Sequence, residues 1–180
     1  MTPTTAKYLW IDLETTGLDP EAEAILECAA IVTDAELNEI GEPLTMVLHV
    51  DETVREAANE LVRDMHDASG LWLDCYAATA EPDDLDDALE ALIRRYAWAD
   101  GKPILAGSTA HFDRGFLASW LFVDPLLHHR HLDVSSLKLA QEDACGIPFA
   151  KSGQRHRALA DVRESLELAR AIFARLRTTR

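Results

Sequence analysis

Asp12 and Glu14 stand two residues apart at the end of the apolar run Tyr8-Leu-Trp-Ile11. If that run is a strand, its side chains alternate between faces, and both carboxylates point the same way. Like charges side by side repel and are costly to desolvate, so the pair needs a cation, a proton or water to compensate it. Two readings of a bare Asp-x-Glu therefore stand together: a divalent-metal site, or a solvated strand end. Asp113 sits in His111-Phe-Asp-Arg-x-Phe116-Leu117, just past one apolar segment and at the start of another. It reads as a further acidic ligand or as a helix N-cap. His156 and Asp161 form a third group. On one helix, five residues turn the chain by about 500° and leave the two side chains about 140° apart. They meet only if His156 lies on the loop before the helix and Asp161 one turn inside it; otherwise the pair is a surface feature.

The elements that must position these residues follow from periodicity. Residues 7–13 read as the first strand. Residues 24–34 fit a helix or a strand by pattern. Asn38 to Gly41 signals a turn, and Leu44 to Val50 alternates as a strand does. Short helices over 52–76 are punctuated by Ser69-Gly70. Pro82-Asp83-Asp84 caps an amphipathic helix whose face is Leu85, Ala88, Leu89, Leu92, Ile93 and Tyr96. The acidic run Asp83 to Asp87 suits that helix's positive end, so it is read as capping and not as a functional patch. Pro103 to Gly107 is a short buried strand, 111–121 a helix, and His131 to Val134 a last strand. A helix from about Ser135 to Cys145 follows, then a loop with Gly146, Pro148 and Gly153, and a closing helix from about Arg157 to Arg177. Three antiparallel strands followed by parallel βα units make an α/β protein: a ribonuclease H-like, mixed five-stranded sheet flanked by helices. The expectation is a single domain over 1–180, with residues 1–6 as a flexible tail.

Bulk properties narrow the partners. The 180 residues suit one domain with a sizeable core. Seventeen basic against 32 acidic residues give a net charge of −15, so long nucleic acid is not expected to be gripped by phosphate neutralisation. A short oligonucleotide held by a metal pair and a few stacking contacts remains open. No apolar run approaches the about 20 residues of a membrane span, and Met1 to Lys7 has no signal-peptide core. Three cysteines, Cys28, Cys75 and Cys145, are odd in number and lack CxxC spacing, which points to a reducing cytoplasm.

In order along the chain, these groups resemble the DEDDh family of 3′-to-5′ exonucleases and, within it, the oligoribonucleases. The resemblance runs through Trp10-Ile-Asp-Leu-Glu-x-Thr-Gly-Leu-Asp19, Ile31-Val-Thr-Asp34, His66-x-Ala-Ser-Gly-Leu71, Gly107-Ser108, Asp113-Arg-x-Phe-Leu117, Arg130-x-Leu-Asp-Val-Ser135 and His156-x-Ala-x-x-Asp161. It implies that Asp12, Glu14, Asp113 and Asp161 hold two divalent ions, Mg²⁺ or Mn²⁺, about 4 Å apart, with His156 as general base. The product is then a nucleoside 5′-monophosphate cut from a short single-stranded oligoribonucleotide. It further implies that Thr15, Gly17 and Leu18 hold the terminal nucleotide, that Leu18 wedges between bases, that His66 touches substrate, and that Ser108, Arg130 and Ser135 cap its 5′ phosphate. By residue type alone, Ser135 serves equally as a helix N-cap and Arg130 as a surface ion pair.

The chain departs from the family at two places. Oligoribonucleases usually carry a Trp in the segment before His66, where this chain reads Asn59-Glu-Leu61-Val62. They carry a Tyr, contributed across a dimer interface, where this chain reads His128-His-Arg130-His131. Losing an aromatic stacking face removes about 1–3 kcal/mol per base. A homodimer is the family expectation, and His129 and His131 weaken it. The consecutive histidines lack the spacing of a metal site. Two rivals follow: a DEDDh exonuclease acting on single-stranded DNA or longer RNA 3′ ends, and a non-catalytic nucleotide-binding module. The second has to explain why all five catalytic side chains are present.

Overall fold

The computed structural model describes residues 5–146, 148 and 156–178. Five strands form one sheet: β1 (Tyr8–Thr15), β2 (Ile25–Thr33), β3 (Leu44–Val47), β4 (Ile104–Gly107) and β5 (His131–Asp133), in the order β3-β2-β1-β4-β5. The first three are antiparallel, and β4 and β5 run parallel to β1. This is the mixed sheet expected from the sequence. Among the described residues, seven α-helices accompany it: α1 (Glu52–Ala57), α2 (Glu60–Ser69), α3 (Leu71–Ala77), α4 (Pro82–Arg95), α5 (Ala110–Trp120), α6 (Val134–Cys145) and α7 (Ala158–Thr178).

The ambiguous segment 24–34 is a strand because all nine residues of β2 are buried. Helices cover both faces of the sheet, which erases the alternation that would have marked it. On one face Leu9, Ile11 and Leu13 pack with Leu85, Leu89 and Ile93 of α4 and Phe116 and Leu117 of α5. On the other, Trp10 packs with Val162, Leu166, Ala169 and Ile172 of α7. Asp12 and Glu14 have the parity of Trp10, so they point to the α7 side. A bulge between Glu14 and Thr15 pairs Glu14 with Glu27 and Thr15 with Ile25. The skipped residue, Leu26, is thereby turned into a third apolar cluster with Leu71, Trp72 and Cys75 beneath α1–α3.

Three local expectations are corrected. The N-cap of α4 is Glu81, in a capping box with Asp84, and Pro82 takes the first helical position. The N-cap of α6 is Asp133, whose Oδ1 accepts the Ser136 N–H at 2.9 Å, so Ser135 is not the cap. Within the expected 1–6 tail, Ala6 is buried and its backbone bonds Ala97 and Ala99. Residues 1–4 and Gly153 lie outside the described residues. Among the described residues no helix is long and apolar enough to cross a membrane.

Gly107 ends β4 beside the site. A Cβ there would meet the Ile11 carbonyl oxygen at 2.8 Å, and that oxygen is backbone in the central strand. Gly107→Ala must therefore spread β1 from β4. The expected cost is about 1–3 kcal/mol, read from urea unfolding; an unchanged midpoint would contradict this packing.

Candidate active site

The strand and helix ends bring the dispersed groups to one place. Asp12 and Glu14 come from β1, Asp113 from the first turn of α5, and Asp161 from the first turn of α7. His156 stands two residues before α7 with a left-handed φ of 51°. This meets the condition set by the rotation argument: the His lies off the helix and the Asp on it. All five line one cavity of about 600 Å³, within the usual range for a small-ligand site. Ligand atoms of Glu14, His156 and Asp161 lie within 4.8 Å of one another.

Asp113 is not an N-cap; Thr109 precedes the helix and makes no side-chain cap bond. The Oδ1 of Asp113 instead accepts the Leu13 N–H at 3.0 Å. β1 pairs with β4 only as far as Trp10 and Ala106, so Leu13 lies past the end of that ladder. A side chain supplies the partner a strand no longer can.

The electrostatics are those of a site built for positive charge. Burial, then the charges of Asp113, Glu14 and Asp161, push the Asp12 carboxyl up to about 9. Burial, then Asp161 and Glu27, push Glu14 up to about 8, against the opposing pull of Arg157. Burial pushes Asp113 up to about 8 despite its backbone hydrogen bonds. The carboxyls compete for protons because they are buried side by side and repel one another when ionised. Hard oxygen donors in such a cluster are suited to divalent ions. The donor set therefore fits a divalent metal.

The family model described as Exonuclease (RNase_T) matches residues 9–169. The oligoribonuclease of Corynebacterium diphtheriae is 38% identical over 168 residues, spanning 91% of this chain and 80% of that protein. The oligoribonuclease of Streptomyces avermitilis is 42% identical over 165 residues, 89% of this chain and 82% of that one. The chain belongs to the oligoribonuclease family of exonucleases. Among solved structures, exonuclease I from Methylocaldum szegediense superposes with a TM-score of 0.73 at 20% identity, and E. coli exonuclease I in complex with a 5cy-dT13 oligonucleotide with 0.70 at 18%. They cover 95% and 97% of this chain, which spans only 41% and 43% of theirs. At that identity the likeness is one of fold, and it establishes the ribonuclease H-like sheet.

The residues that the oligoribonuclease resemblance tied to substrate divide into four groups. Ser108 and Ser135 line the cavity; the Ser108 hydroxyl is 2.8 Å from that of Ser165, and Ser135 is 3.3 Å from Thr109. Leu18 is 82% exposed on the β1–β2 connection. Thr15 and Gly17 are buried, and the Thr15 hydroxyl donates to the Gly17 carbonyl. The remaining two sit elsewhere. Arg130 is exposed and outside the residues lining the cavity. His66 is fully buried under β1, with Nε2 3.0 Å from the Thr15 carbonyl oxygen, Nδ1 3.9 Å from Glu14, and its ring edge-on to Trp72. It supports the strand end from below. Leu61, in the segment before His66 that lacks an aromatic residue, is 78% exposed on α2.

Two further residues of the site went unnoticed in the sequence. Lys138 of α6 lines the cavity and brings an ammonium group to it. Glu27 is 5% exposed on β2, opposite Glu14. A lone acid within the apolar run Ile25-Leu-Glu-Cys-Ala-Ala-Ile31 was the available signal.

Proposed function

We propose that this chain is a metal-dependent 3′-to-5′ exoribonuclease that reduces short oligoribonucleotides to nucleoside 5′-monophosphates. The observation that carries the reading is the convergence of Asp12, Glu14, Asp113, Asp161 and His156 on one cavity. The four carboxylates would hold two divalent ions, Mg²⁺ or Mn²⁺. Bound there, such ions supply Lewis-acid stabilisation of the attacking and leaving oxygens. His156, off the helix and beside Glu14 and Asp161, accepts the proton of the attacking water. Ser108 and Ser135 offer hydroxyls to a phosphate, Leu18 an apolar wedge to a base. The net charge of −15 disfavours a long polyanion that would have to track across the surface. A homodimer follows from the family resemblance alone, and the buried free thiols of Cys28 and Cys75 accord with a reducing cytoplasm.

One observation favours a second reading, a DEDDh exonuclease for single-stranded DNA or longer RNA tails. Leu61 presents no aromatic face to stack a base. Side-by-side digestion of labelled RNA and DNA from two to about twenty nucleotides separates the two. The expected outcome is fastest turnover of the shortest RNAs. Rapid loss of long substrates, with no advantage for short ones, would reject the oligoribonuclease reading.

A further inference from the structure

We infer that Glu27 and Arg157 form a clamp that seats His156 and Asp161 against β1, making both positioning residues for the reaction; this rests on the reading of the site proposed above. Glu27 lies on β2 directly opposite Glu14, with the parity that faces α7. Its Oε2 accepts the Arg157 Nε–H at 3.2 Å and the Ala158 backbone N–H at 2.9 Å, and its Oε1 accepts Arg157 Nη2–H at 3.1 Å. Arg157 reaches on to Asp74 of α3 at 2.8 Å through Nη1. A planar fork on a nearly buried carboxylate fixes direction as well as distance.

The clamp grips α7 at a telling point. Ala158 is the first residue of the helix, and its N–H is one of the donors a helix start leaves without an internal partner. Glu27 supplies that cap from another element, 131 residues away in sequence. The Arg157 carbonyl in turn accepts the N–H groups of Ala160 and Asp161, at 2.9 and 3.1 Å. His156 is the residue immediately before. Its φ of 51° is unfavourable for a side chain with a Cβ and persists where the surroundings over-determine it. The catalytic His and the last carboxylate thus flank the clamped residue and take their positions from it. A buried acid beside an already acidic site is costly. Here its guanidinium partner and the helix cap offset that cost.

Glu27→Gln in the full chain tests the clamp, because it keeps the volume and removes the charge. Near-attack geometry is lost steeply with displacement, so kcat with Mn²⁺ on a dinucleotide is expected to fall about 10–100-fold, with KM within about threefold. In metal-free protein, hydrogen exchange at Arg157–Asp161 is expected to accelerate about tenfold or more, while the later turns of α7 stay protected. Arg157→Met, at a side chain 34% exposed, repeats the test if the Gln variant folds poorly. The double variant is expected to be no worse than either single one, because both act through one unit. Arg157→Lys should rescue only in part, since it keeps the charge and loses the fork. Unchanged kcat in Glu27→Gln, with Asp12→Ala inactive in parallel, overturns the clamp and leaves the site reading standing. An active Asp12→Ala protein overturns the site reading, and the clamp's role with it.

Discussion

Asp12→Asn is expected to abolish cleavage and, in the same protein freed of metal, to raise stability above pH 8. The two effects have one cause. Asp12 is held at about 9 by burial and by the charges of Asp113, Glu14 and Asp161. Each tenfold weakening of an acid in this way represents about 1.4 kcal/mol of unfavourable interaction with its ionised form. The amide has the same shape and no charge, so the repulsion disappears from the folded state. It is also a far poorer ligand for a hard cation. Losing one carboxylate from a metal-assisted displacement costs several kcal/mol of transition-state stabilisation; about 4 kcal/mol corresponds to roughly 10³-fold in kcat/KM. The measurements are Mn²⁺-dependent hydrolysis of a dinucleotide and thermal unfolding in chelator. Activity within tenfold of the parent would remove Asp12 from the reaction. Lower stability with lost activity would indicate a collapsed site instead of an unburdened one.

Which parts of the site were legible in the sequence follows from the range of the interactions involved. Alternation along a strand is local, so the shared face of Asp12 and Glu14 could be read directly. Helical rotation is local too: it let His156 and Asp161 meet only with His156 off the helix, and His156 stands two residues before α7 with a left-handed φ. The strand character of 24–34 was hidden because both its faces are covered, which leaves an unbroken apolar run. Asp113 was ambiguous because its partner is the Leu13 N–H, 100 residues earlier, beyond the end of β4. His66 was expected at the substrate, by resemblance. Its position under the strand end depends on how α2 and Trp72 pack against β1, which no spacing within 59–72 encodes. Glu27 carried a visible signal, an acid in a buried strand. Its meaning lay in Arg157, 130 residues away. Long-range pairing was what the sequence could not supply, and each hidden role depends on it.

Metal-free protein is expected to lose stability as pH rises from 7 to 9, and saturating Mn²⁺ or Mg²⁺ to cancel that loss. Asp12, Glu14 and Asp113 rise from ordinary values of 3.8, 4.5 and 3.8 to about 9, 8 and 8 in the folded chain. Groups raised in this way bind protons more tightly folded than unfolded. Their stabilising protonation is fully present below pH 4 and is lost as pH climbs through 8 and 9. Other groups act outside that window. Burial lowers the pKa of His66, whose opposite slope lies below about 6.5, and the Cys75 thiol, raised to about 12 by burial, acts above it. Asp34 (against the opposing effect of partial burial), Asp51 and Asp67 are lowered by their hydrogen bonds and matter only below about 4. Among the described groups, the shifts that act between pH 7 and 9 are therefore mainly those of the site carboxyls. A single tenfold change in the acidity of one carboxyl is worth about 1.4 kcal/mol, or about 3–6 °C in Tm for a chain of this size. A divalent ion binds the ionised carboxylates and adds about 2.7 kcal/mol at 100 times its Kd. The ion's benefit should widen with pH, because fewer protons then compete for the same oxygens. Thermal unfolding at pH 7, 8 and 9, in chelator and in Mn²⁺, reads both effects. A Tm in chelator that is flat across this range, or a metal increment that shrinks as pH rises, would show that these carboxyls do not share one buried, cation-seeking site.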